Sequence, residues 1–102
     1  MDTTAVIEEL SVSYFNKKLK DKPAVVGIHA LKHLSSGQRE VFSAEDLLRI
    51  ATENKPRRVG RQRNGALRVT YRRKDGFYVL IFAEKYNRME IVTYLKPKTS
   101  RK

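Results

Sequence analysis

Cysteine is absent from this chain of 102 residues. Its absence excludes disulfides, thiol catalysis and Cys-based zinc sites, and leaves the redox compartment open. No run of about 18 apolar residues occurs, so no membrane span is expected. The opening Met1-Asp2-Thr3-Thr4 lacks the basic and apolar regions of a signal peptide. Glycine is sparse, and its five positions (27, 37, 60, 65 and 76) match neither a dinucleotide fingerprint nor a P-loop. Gly-x-Ser-x-Gly is missing, and no pair of carboxylates is marked out for glycosidase work. Nucleotide kinases, dehydrogenases and common hydrolases therefore drop out, and no cofactor is expected.

Acidic residues are also scarce. Asp plus Glu is 11 against 22 Lys plus Arg, for a net charge of +11. The excess is confined to one half: residues 1–54 sum to −1, with seven basic and eight acidic side chains, whereas residues 55–102 carry fifteen basic against three acidic, a net of +12. Nine of those fifteen are arginines. A solubilising surface has no need of guanidinium, whose planar fork suits phosphate oxygens. The expected partner is a polyanion, most simply nucleic acid.

The pattern of apolar residues predicts an α+β domain over residues 1–98, helical at about 4–54 and sheet at about 57–96, with a basic tail at 99–102. Ile7, Leu10 and Tyr14 recur at helical spacing, with Glu8 and Glu9 early and Lys17, Lys18 and Lys20 late, so a helix is expected from Thr4 to Leu19. Pro23 bars its continuation. Ala24 to Ile28 reads as extended or as the start of a second helix that stops at Ser35-Ser36-Gly37. Ser43, with Asp46 three residues on, opens a helix whose apolar face is Leu47, Leu48, Ile50 and Ala51.

Beyond Pro56 the period falls to two. Leu67, Val69 and Tyr71 alternate with Arg68, Thr70 and Arg72. Asp75-Gly76 signals a hairpin. Phe77 to Ala83 is apolar on both faces and reads as a central strand, and Met89 to Leu95 follows. Two or three helices packed on a three- to four-stranded antiparallel meander are thus expected, the optional fourth strand being a short one near Arg58 to Arg61. The Met89–Leu95 edge is a place where another chain could pair.

His29 and His33 stand four apart, on one face if the stretch is helical. They can pack, bind a metal or exchange protons. A zinc site would need a third ligand that the spacing does not supply, so no metal is expected. Histidine is the usual acid–base residue near neutral pH. Lys55, Arg57, Arg58, Arg61 and Arg63 form a basic stretch that reads as a loop gripping phosphate. Arg68, Thr70 and Arg72 share one strand face, suited to a phosphodiester or simply solvated. Tyr78, Phe82 and Tyr94 can stack on bases or fill the core.

The order of these parts is a His-x-x-x-His segment, a Ser-Ala-Glu-Asp-Leu-Leu helix, a basic loop and a meander ending in Glu90-Ile91-Val92-Thr93-Tyr94. It resembles the small metal-independent ribonucleases of the barnase–EndoU–colicin–RelE superfamily, in their phage-associated and polymorphic-toxin branch. The resemblance covers about residues 25–98. It implies an endoribonuclease toxin in which His29 or His33 works as acid–base residue, Arg68 or Arg72 meets the scissile phosphate, and Thr93 or Tyr94 orients the substrate. Lys55, Arg57, Arg58, Arg61, Arg63, Arg73, Lys74 and Lys96 would bind the RNA, tRNA being one option. It also implies an acidic immunity protein or antitoxin as partner, the cytoplasm as site of action, and delivery by a phage or a secretion system as an option. The alternatives are a non-catalytic RNA- or DNA-binding module, and an interaction protein whose basic face docks an acidic partner.

Overall fold

A computed structural model describes residues 3–27, 44–73 and 76–95. Ser11 decides how the chain starts. Its hydroxyl accepts a hydrogen bond from the Tyr14 N–H at 3.0 Å, from an extended backbone (φ −76°, ψ 152°), and so fixes a helix N-terminus at that point. The helix is α1 (Val12–Asp21), and the residues before the cap form a strand, β1 (Val6–Leu10). The single helix expected from Thr4 to Leu19 is therefore a strand and a helix. Glu8 and Glu9 do not support a helix dipole. They lie on β1, opposite Arg61 and Gly60. The helix stops at Lys22, whose N–H bonds the Lys18 carbonyl ahead of Pro23.

A short strand, β2 (Ala24–Val26), follows. The second helix expected near residues 27–34 lies outside the described residues. The next helix is α2 (Ala44–Glu53), with Leu47, Ile50 and Ala51 buried, as the apolar spacing requires. Glu45 and Asp46 sit in its first turn, where they complement the dipole. Four more strands follow among the described residues: β3 (Pro56–Gln62), β4 (Leu67–Arg73), β5 (Gly76–Glu84) and β6 (Met89–Leu95).

All six strands form one sheet in the order β1-β3-β4-β5-β6-β2. Every pairing is antiparallel except β2 with β6, which is parallel. The architecture is α+β, with two helices among the described residues and two more strands than the expected maximum. The residues expected as a basic loop are β3 as far as Gln62, followed by a turn. Gly65 closes that turn at φ +91°, a conformation open to glycine without steric cost. β6 is not an edge, because β2 occupies that side; the outer strands are β1 and β2.

One face of the sheet carries the core. Phe15 of α1 and Leu47, Ile50 and Ala51 of α2 pack with Val59, Leu67, Val69, Tyr71, Tyr78, Leu80, Phe82, Met89 and Ile91. Phe15 meets Phe82 edge to face, with centroids 5.0 Å apart. α1 is pinned at its end as well: Lys18 and Lys22 both donate to Glu84 Oε2, at 3.0 and 2.8 Å.

Candidate nucleic-acid interface

Cross-strand partners in an antiparallel ladder share a face. The register therefore fixes what lies on the side away from the helices. One row runs Glu9, Gly60, Arg68, Ile81, Thr93, and the next runs Arg58, Thr70, Val79, Leu95. Beyond these, Arg72 pairs with Phe77. Arg58, Arg68 and Arg72 thus share one surface, here termed the arginine face, with Thr70 and Thr93. Val79 and Ile81 lie between them and are themselves buried, as expected of a strand apolar on both sides.

Thr93 reaches this face through an irregularity. Ile81 pairs with Thr93 but Phe82 pairs with Ile91, so Val92 is an extra residue in β6. A bulge of this kind reverses the alternation beyond it. Thr93 is turned to the arginine face, while Tyr94 is turned into the core, 6% exposed and stacked on Tyr78 with ring centroids 6.0 Å apart. Of the two residues expected to orient a substrate, the structure sets one on each side. Arg68 and Thr93 stand two strands apart, about 10 Å at the usual strand spacing.

Around Gly60 the face is concave. Val6, Glu9, Arg58, Arg68 and Thr70 line, with Gly60, a cleft of about 190 Å³. The missing side chain matters there: a Cβ on Gly60 would lie 2.7 Å from Val6 Cγ1. Arg58, 72% exposed, donates to Glu9 at 3.3 Å. An ion pair this exposed contributes little to stability, and a competing anion displaces it at little cost.

The other expected RNA-binding residues scatter. Arg61 belongs to the helix-covered side, where it donates to the Tyr14 hydroxyl at 2.8 Å and pairs with Glu8 at 3.6 Å. Arg73 stands over the Tyr78 ring at 5.5 Å. Lys55, Arg57 and Arg63 are exposed. His29, His33, Lys74 and Lys96 lie outside the described residues, so the acid–base expectation falls on positions the structure does not describe. Tyr78 and Phe82 are core residues, which removes them as stacking surfaces. No group of three metal-ligating side chains occurs among the described residues.

Two members of the face escaped the sequence reading. Glu9 was assigned to a helix. Phe77, 46% exposed with the Arg72 guanidinium 5.9 Å from its ring, was counted only as part of an apolar run. Its signal is the register: in β5, even-numbered residues from Tyr78 to Phe82 face the core and odd-numbered ones from Phe77 to Ile81 face the arginines.

Comparison with family models, curated proteins and solved structures gives no match to this chain.

Proposed function

We propose that this protein is a metal-independent endoribonuclease of the toxin type, acting in the cytoplasm, which holds RNA along the arginine face. The observation that carries the reading is the convergence of Arg58, Arg68 and Arg72 with Thr93 on one surface, drawn from three different strands. Guanidinium groups at fixed positions match phosphate oxygens in pairs, and they stabilise the charge that builds on phosphorus during transesterification.

In that reaction the RNA 2′-OH attacks the adjacent phosphorus, and the bond from phosphorus to the 5′ oxygen breaks. The products are a 2′,3′-cyclic phosphate and a free 5′-OH. One group accepts the 2′ proton and another protonates the leaving oxygen. His29 or His33 is assigned to this proton transfer, Arg68 and Arg72 to the phosphate, and Thr93 to the substrate's orientation. The proposal follows the resemblance to the barnase–EndoU–colicin–RelE ribonucleases. A strongly basic face of this kind also suits an acidic immunity protein or antitoxin.

Purified protein incubated with total RNA in EDTA tests the reading, alongside a His29→Ala/His33→Ala variant. Fragments with cyclic-phosphate ends, lost in the variant, are the expected result. Cleavage retained by the variant removes the histidines from the mechanism. A second reading, a non-catalytic RNA-binding module, draws on the same surface: Arg58, Arg68 and Arg72 can hold a phosphate backbone through charge alone. Intact RNA that shifts in a gel at low salt selects this second reading.

A further inference from the structure

Phe77 is exposed on the arginine face, whereas Tyr71, Tyr78, Phe82 and Tyr94 of the same sheet are buried. Phenylalanine has no polar handle to satisfy in water, so its ring gains nothing from hydrogen bonding there. Leu95, 40% exposed, is on the same face, two residues along from Phe77 through its partner Val79. The two form an apolar ledge at the end of the arginine row. The ring also has a cation beside it, the Arg72 guanidinium at 5.9 Å.

We propose that the RNA taken by the arginine face is single-stranded, with an unpaired base stacked on Phe77 and its backbone carried along Arg72 and Arg68. This rests on the RNA-binding reading and adds the substrate class. A positive track flanked by an exposed aromatic ring is the arrangement by which proteins hold single strands, since every base has a π-face. In a duplex the bases are stacked within the helix and only the backbone reaches the protein. Phe77 is then idle, and only the arginines contribute.

The test measures affinity for a short oligoadenylate strand and for the same strand annealed to oligouridylate. The full chain carries His29→Ala and His33→Ala so that the probes stay intact. Phe77→Leu is expected to weaken single-strand binding by about fivefold or more, within the usual worth of base–aromatic stacking, and to leave duplex binding unchanged. Phe77→Tyr restores the single-strand affinity. The chain has no tryptophan, so Phe77→Trp introduces the only indole, and its emission is expected to be quenched by the single strand and not by the duplex. That readout stands even if Phe77→Leu fails to fold. Equal single-strand affinity before and after Phe77→Leu, with Arg68→Gln/Arg72→Gln weakening both probes, overturns the stacking inference and leaves RNA binding in place. Binding of neither probe by the unsubstituted face overturns both.

Discussion

Charge removed from the arginine face should change the salt dependence of binding, and charge removed elsewhere should not. The perturbation is Arg58→Gln/Arg68→Gln/Arg72→Gln. Each phosphate contact to a single strand contributes about 0.7 to the slope of log affinity against log salt. Loss of three contacts flattens the slope by about 2. If Arg58 stays with Glu9, 3.3 Å away, only two contacts are lost and the change is about 1.4. At the larger value, a fourfold rise in salt costs the parent about 20-fold more affinity than the variant. The control is Lys17→Gln/Lys20→Gln/Arg49→Gln, which removes the same charge from α1 and α2. Fluorescence anisotropy with a labelled oligonucleotide across a fourfold salt range reads both slopes. If the helix variant flattens the slope as much as the sheet variant, overall charge governs binding and the arginine face has no special part in it.

Three further outcomes follow from packing and ionisation. Gly60→Ala is expected to cost about 1–3 kcal/mol, because its Cβ would meet Val6 Cγ1; urea melts in a Val6→Ala background should recover most of that, and an equal cost in both backgrounds refutes the contact. Glu84 is held below the ordinary carboxylate value by hydrogen bonds from Lys22 and then Lys18. Its contribution to stability is therefore complete above the unfolded-state value and is lost as pH falls through the lower folded one. The stability gap between parent and Glu84→Gln should shrink on acidification past 4.5, and a gap independent of pH contradicts the assignment. The Tyr71 hydroxyl is buried with no hydrogen-bond partner among the described residues, and burial pushes its pKa up. Tyr71→Phe should be neutral or stabilising by up to about 1 kcal/mol in thermal melts, and a clear loss would reveal a bond to that oxygen.

Short-range pattern was enough for α2 and for the β4-β5-β6 meander, because their partners are neighbours in sequence and their alternation is clean. It failed at β1: Ile7, Leu10 and Tyr14 match a helical spacing by coincidence, but only Tyr14 is in a helix, and the strand holding Ile7 and Leu10 exists because β3, some fifty residues on, pairs with it. The parallel strand β2 is three residues long, too short for alternation to show. In the candidate site, Arg68, Thr70 and Arg72 were legible as one face of a strand. Arg58 was recognised as basic but not as a neighbour of Thr70, which only the β3–β4 register shows. Thr93 and Tyr94 share one expected role, yet the bulge at Val92 turns Thr93 to the arginine face and Tyr94 into the core, which no short-range pattern shows.

Both outer strands, β1 and β2, come from residues 6–26, with α1 in the connection that carries the chain from one edge of the sheet to the other. On the ribosome these two segments precede the strands they pair with, and each must wait for its partner: β1 for the stretch ending at Gln62, β2 for Met89–Ile91. The meander between them, whose strands are joined by short turns, needs only its own residues to close. The two outer strands are a clasp on the meander, and the clasp shuts fully only when Met89–Ile91 has been translated.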